Sequence, residues 1–277
     1  MTTFQKVIKY LALAFAIFLI VTIFGGIITG LSGISYLTSD KETETVGEMQ
    51  NFALSGDISS LSVDLSGAEF IIQTADKFEV ESNHKYISVK EDNGKLRINE
   101  TKKFFATSPK GIKVVFSIPE NFVFDDVMID TGAGKMKIDA LACDVLELSL
   151  GAGKADIKNL TAKSEAEIDG GAGELNIDGG KLRDLSLDMG VGKLTLKSRI
   201  EGKSELDYGV GETDLILLGS KDDYRIELDK GIGKAELEGE EMKDDSVYGT
   251  GENFIEIDGG VGELSVTFSE YEIRNEF

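Results

Sequence analysis

The chain has 277 residues, 41% of them hydrophobic, with a formal charge of -21, one cysteine, one histidine and no tryptophan. That hydrophobic content is ample for a core and excludes a disordered chain, while the acidity repels nucleic acid. A lone Cys143 and a lone His84 exclude a disulfide framework and a Cys/His zinc site within one chain.

The charge is unevenly placed. Only Lys6 and Lys9 are charged before Asp40, and all 50 acidic residues lie from Asp40 onward. Positions 10–39 carry no charge, and 11–31 are almost wholly apolar. As a helix that apolar run would rise roughly 31 Å, enough for the hydrocarbon core of a bilayer. The reading is a cytoplasmic N-terminus over 1–9, one transmembrane helix over 10–36 and an exposed tether over 37–56. The two leading lysines place everything after the helix outside the cell membrane by the positive-inside bias. A cleaved signal peptide is the rival, although no clear Ala-x-Ala site follows, and both readings export the same domain. Gly26 and Gly30 form a Gly-x-x-x-Gly face, so a homodimer through the membrane helix is an expectation.

Segment 57–126 reads as an irregular β cap containing a first, degenerate rung. Leu61, Val63 and Leu65 alternate with polar residues, and Phe70 and Ile72 continue beyond Gly67. Positions 77–82, 86–90, 95–99 and 112–118 are strand-like, with Asp92-Asn93-Gly94 a hairpin turn between the second and third.

Segment 127–277 is governed by Gly-x-Gly, which recurs seven times, with first glycines Gly132, Gly151, Gly171, Gly190, Gly209, Gly231 and Gly260. Spacings of 19, 20, 19, 19, 22 and 29 residues, with no helical unit between, predict a β-solenoid of about 20-residue rungs. Three before the first glycine stand Ile129, Leu148, Ile168, Leu187, Leu206, Leu228 and Ile257, predicted to point inward. The residues between the glycines, Ala133, Ala152, Ala172, Val191, Val210, Ile232 and Val261, are also expected inward, at a corner that glycine makes flexible. After the second glycine come Lys135, Lys154, Glu174, Lys193, Glu212, Lys234 and Glu263. Taken as neighbours in chain order, their signs alternate from Lys154 onward, which offsets repulsion between rungs. The insertion 238–254 is expected to leave the body as a loop, and 269–277 to protect the last edge.

Two before the first glycine stand Asp130, Ser149, Asp169, Asp188, Asp207, Asp229 and Asp258. Their expected work is to accept hydrogen bonds from backbone N–H groups of the glycine corner. Stacked carboxylates also suit a hard cation such as calcium, yet Gly170-Gly171-Ala172-Gly173 continues Glu174-Leu175, unlike the calcium-binding nonapeptide. Gly-Ala-Gly-Lys resembles part of a phosphate loop, but lysine there interchanges with glutamate and no complete motif exists. No Gly-x-Ser-x-Gly elbow is present, so no catalytic residue, cofactor or metal site is assigned. Phe104, Phe105, Tyr248 and Tyr271 are expected to pack, with carbohydrate or protein contact as the alternative use.

Leu61-x-Val63-Asp64, Leu96-x-Ile98, Val115-x-x-Ile118-Pro119 and the repeated Ile/Leu-Asp-x-Gly-Ala/Val-Gly rungs resemble the bacterial adhesin-like β-strand-repeat family of toast-rack solenoids. The resemblance covers residues 57–268 and implies a cell-envelope location, sometimes beside envelope-stress systems, with no established catalytic residue. The expectation is a non-enzymatic, membrane-anchored β-solenoid that binds an envelope protein or cell-wall polymer. A calcium-stabilised surface spacer and a glycan-active β-helix enzyme are the alternatives.

Overall fold

A computed structural model describes residues 46–101 and 111–270. They are almost entirely strand, so the expected all-β solenoid is the architecture observed. The segment 10–36, with Gly26 and Gly30, lies outside the described residues, as do Lys6, Lys9, Phe104, Phe105 and Tyr271. Among the described residues no helix is long and apolar enough to cross a membrane.

Five strands carry a whole rung straight through the Gly-x-Gly: β8 (Val123–Ile138), β9 (Leu141–Ile157), β12 (Leu185–Glu201), β13 (Lys203–Leu218) and β18 (Asn253–Ser269). In the other rungs two strands meet at the corner. These are β2 (Ser60–Leu65) with β3 (Glu69–Ala75), β6 (Lys95–Glu100) with β7 (Lys113–Pro119), β10 (Leu160–Asp169) with β11 (Ala172–Arg183), and β14 (Tyr224–Asp229) with β15 (Ile232–Leu237). Rungs stack parallel and in register: Ile129 faces Leu148, Asp130 faces Ser149 and Ala133 faces Ala152. The predicted inward column is buried throughout, from Ile129 and Leu148 at 1% exposure to Leu206 at 2%. Each such side chain contributes about 1.5–3 kcal/mol of burial. Ser204, a polar member of the inward face, is satisfied because its hydroxyl accepts from the Leu185 N–H at 3.0 Å.

The glycines answer to crowding as much as to bending. A Cβ on Gly211 would fall onto the carbonyl oxygen of Gly192 in the next rung, and one on Gly192 onto that of Gly173. Gly192 and Gly211 also sit at φ +142° and +143°, which L side chains rarely adopt. Residues between the glycines were expected inward and instead point out, with Val191 45% and Ile232 42% exposed. The inward place belongs to the residue before the first glycine: Met189 and Tyr208 are 3% and 6% exposed. Strict alternation therefore slips by one residue within the Gly-x-Gly.

The order of rungs in space is not their order in the chain. β2–β3 pair with β8 on one side and with β6–β7 on the other. At the far end β18 pairs with β13 on one side and with β14–β15 on the other, so the last strand forms the second-to-last rung. The chain-order stacking read from the period is thus corrected at both ends. A shared pattern fixes register but not order. Side-chain volume bears on the order: Tyr208 has Met189 beside it on one side and Gly259 on the other, where an added Cβ would collide with the Tyr208 hydroxyl.

Both ends finish in antiparallel strands. β5 (Ile87–Asp92) covers β6, β4 (Glu79–Ser82) covers β7, and β1 (Gln50–Phe52) lies beyond β4. At the far end β17 (Ser246–Gly249) covers β14 and β16 (Glu240–Glu241) covers β15. These strands take up hydrogen-bonding groups that an open edge would offer to another chain. The insertion 238–254 is therefore an end cap and the start of β18, not a loop leaving the body. Met242 is 1% exposed and its N–H donates to the Ala235 carbonyl at 2.8 Å. Tyr248 packs on the core, and its hydroxyl accepts from the Lys243 N–H at 2.7 Å. The residues beyond Glu270 lie outside the described part. Segment 57–126 contains two rungs besides its cap strands, and Asn93 and Gly94, at φ 48° and 77°, form the predicted turn from β5 to β6.

Candidate functional site

The strand entering each corner presents two outward columns. In spatial order the first is Asp64, Asp130, Ser149, Asp169, Asp188, Asp207, Asp258 and Asp229. Beside it run Ser62, Met128, Glu147, Glu167, Ser186, Glu205, Glu256 and Glu227. The predicted aspartate column is thus in register, and a glutamate column the sequence reading overlooked doubles it. Its signal is a glutamate two positions before Ser149, Asp169, Asp207, Asp229 and Asp258. At the rim, Arg225 reaches Glu227 at 3.8 Å, while Lys203 and Arg225 flank the Phe254 ring at 5.9 and 5.1 Å.

The expected turn role does not hold for Asp130, Asp169, Asp188, Asp207 or Asp229. Among the described residues no backbone N–H of the corner donates to these carboxylates. The corner N–H groups bond along the stack instead, as Ala133 does to the Ser66 carbonyl at 2.7 Å and Val191 to that of Gly171 at 2.9 Å. A continuous ladder leaves the aspartates pointing to solvent. Their crowding is visible at Asp207, whose carboxyl is pushed above its ordinary value by partial burial first, then by Asp258, Asp188, Glu205 and Glu256. Carboxylate oxygens of Glu205, Asp207 and Asp258 lie within 4.8 Å of one another, as do those of Asp229, Asp244 and Asp245.

The strand leaving the corner presents the opposite electrostatics. Its first outward column is Lys113, Glu69, Lys135, Lys154, Glu174, Lys193, Glu212, Glu263 and Lys234 in spatial order. Lys154 meets Glu174 at 2.9 Å and Asp156 at 3.5 Å, Lys193 meets Glu212 at 3.1 Å and Asp214 at 3.4 Å, and Lys137 meets Glu69 at 3.0 Å. The Glu174 carboxyl is held below its ordinary value by the Lys154 hydrogen bond, and the Lys154 ammonium above its own by the same contact. The predicted alternation holds from Lys154 to Glu212 and then fails. Because β18 intercalates, Glu212 faces Glu263, and Lys234 stands outermost.

Other candidates are closed by their own partners. A polar cleft of about 570 Å³ lies between Arg183, Arg199, Asp222 and Asn253. There Glu201 accepts from Arg183 Nη2 at 2.9 Å and from Arg199 Nε at 3.0 Å, and Asp223 lies 3.7 Å from Arg199. Cys143 is fully buried, and burial first, then Asp144 and Asp126, pushes its thiol up to about 12, so it packs rather than reacts. His84 is buried at 5% exposure against Tyr86.

The family model of Toastrack DUF4097 matches residues 38–259, most of the chain and every rung up to the corner of β18. The chain belongs to this family. Solved structures similar to this Toastrack chain include a "putative cell adhesion protein" from Clostridium sporogenes. It is 15% identical, with 80% of this chain and 99% of that chain covered and a TM-score of 0.33. A "putative adhesin" from Bacteroides fragilis is 16% identical over 80% of this chain and 96% of that chain, with a TM-score of 0.35. A "Putative lipid binding protein" from Parabacteroides distasonis is 13% identical over 80% and 96%, with a TM-score of 0.28. No functional argument follows from likeness at this level. Among curated proteins none matches.

Proposed function

We propose that this Toastrack protein is a non-enzymatic, membrane-anchored, extracytoplasmic binding or scaffold module of the bacterial cell envelope, adhesin-like or tied to envelope stress. The observation that carries the reading is the in-register pair of carboxylate columns on the strand entering the corner. A rigid ladder of one sign, beside a strand whose charges pair among themselves, suits a basic partner: an envelope protein or an amine-bearing wall polymer. The charge-free apolar run at 10–39 supports the anchor and the outward placement of the solenoid. An inert Cys143 and a packed His84 support a binding rather than a catalytic role.

The test is cross-linking from intact cells with the full chain and with a Glu205→Gln/Asp207→Asn/Glu256→Gln/Asp258→Asn variant. Capture of one basic partner by the unaltered chain and its loss in the variant support the reading. Equal capture by both, or turnover of envelope glycans by the purified protein, sinks it. The grouping of Glu205, Asp207 and Asp258 favours a second reading, a calcium-stabilised spacer. It requires a calcium-dependent melting temperature that disappears in Asp188→Asn/Asp207→Asn.

A further inference from the structure

The first outward column of the strand leaving the corner alternates in sign from Lys113 to Lys234 except at two places. Lys135 stands directly against Lys154, and Glu212 directly against Glu263, and like charges so placed are unfavourable. Lys154 and Glu212 are offset by Glu174 and Lys193. Among the described residues Lys135 and Glu263 make no ion pair. The two breaks lie at equal distances on either side of the step from Glu174 to Lys193. A two-fold axis along the strands at that step reverses the stack and sets every charge of the column from Glu69 to Lys234 against one of opposite sign. Lys135 then meets the partner's Glu263, and Lys154 the partner's Glu212, so the two breaks answer one another.

Side-chain volume at the corner has the same symmetry. Alanine fills the column from Ala133 to Ala172, and branched residues fill it from Val191 to Ile232. The same axis sets Ala172 against the partner's Val191, Ala152 against the partner's Val210 and Ala133 against the partner's Val261. Each branched side chain thus finds a small residue opposite, and the 45% exposed Val191 gains cover.

The other outward columns of this face accept the arrangement. In the next one Asp156 meets the partner's Asp214, and each has a lysine of its own chain beside it, Lys154 at 3.5 Å and Lys193 at 3.4 Å. In the one beyond, Asp178 meets the partner's Lys197. Elsewhere between the Glu69 and Lys234 rungs the charges of these two columns meet uncharged residues. The slip within the Gly-x-Gly bends the chain, so the acidic entering strand leaves the plane of this face and its repulsion stays out of the contact.

We propose that a second copy of this chain docks antiparallel on the face formed by the corner and the strand leaving it, about a two-fold axis between the β10–β11 and β12 rungs. The acidic columns remain uncovered.

The test mixes full-length chains in detergent micelles, one carrying Ala152→Cys and the other Val210→Cys, and oxidises them; Cys143 is buried and stays out of the reaction. A covalent dimer is expected from the mixture and little from either variant alone. Glu212→Lys is expected to weaken association about tenfold on dilution, and adding Lys154→Glu to restore it. Inside each stack the same two changes set like charges against Glu174 and Lys193, so the unfolding midpoint falls while dimerisation recovers. A purely intramolecular role for these pairs cannot give that combination. A micelle dimer without the mixed disulfide, as association through Gly26 and Gly30 alone would give, overturns the proposal. So do disulfides formed equally well by either variant alone, and association that Lys154→Glu fails to restore.

Discussion

The strands on either side of the glycine corner are built on the same core yet carry opposite electrostatics. Before the corner, carboxylates stack on carboxylates, and Asp207 is harder to ionise for it. After the corner, Lys137 pairs with Glu69, Lys154 with Glu174 and Lys193 with Glu212, and Glu69 and Glu174 are easier to ionise. The core cannot tell the two sides apart, because Leu206 on one and Leu215 on the other are equally buried. Charge on this solenoid is therefore a property of the outward columns alone, free to vary while the inward columns hold the fold.

The largest effect is expected where the two sides meet. Gly211→Ala would drive a methyl into the Gly192 carbonyl at a backbone angle that alanine avoids, and should cost about 3 kcal/mol or more in denaturant unfolding. Leu206→Ala and Leu215→Ala should each cost about 2–5 kcal/mol; similar values would show that both sides rest on one core, and a large disparity would break the comparison.

Acidification separates the two sides by sign. The Asp207 penalty exists above its raised folded value and disappears as pH falls toward its ordinary 3.8, so protonation there stabilises. The gains from Glu69 and Glu174 are present above their ordinary 4.5 and are lost as pH falls through their lowered values. Unfolding followed from pH 7 downward should show a slight gain in stability before the acid loss. A monotonic fall would remove Asp207 crowding from the account. At neutral pH and low salt, Asp207→Asn should raise stability by no more than roughly 0.5 kcal/mol after solvent screening, a gain that shrinks in 1 M salt. Glu174→Gln should act in the opposite direction and move the unfolding midpoint least.

The period, the inward Ile/Leu column and the aspartate ladder are legible in the sequence because each depends on spacing alone. The rung order is not, since β13, β14–β15 and β18 repeat one pattern, and what distinguishes them, Tyr208 lying over Gly259 and β16 and β17 capping β15 and β14, arises only in three dimensions. The β6–β7 rung escapes a motif search because 101–112 stands in place of its Gly-x-Gly and Asn99 in place of aspartate. The outward turn of Val191 and Ile232 is hidden for a related reason: apolar identity suggests burial, while the inward place at the corner goes to the residue before the first glycine, as with Met189 and Tyr208. The second acidic column was passed over because Ser186 and Met128 interrupt it.

Closing the stack at both ends with its own antiparallel strands has a consequence for how such a molecule can change size. The interior rungs from β9 to β12 touch only neighbours of the same pattern, so one 19- or 20-residue unit can be duplicated or lost there without disturbing either terminus. Each such event would lengthen or shorten the stack by ~4.8 Å and add or remove up to two carboxylates of the paired outward columns. The acidic strand is in that sense a ruler graduated in single rungs, whose length can be reset in steps while its ends stay fixed.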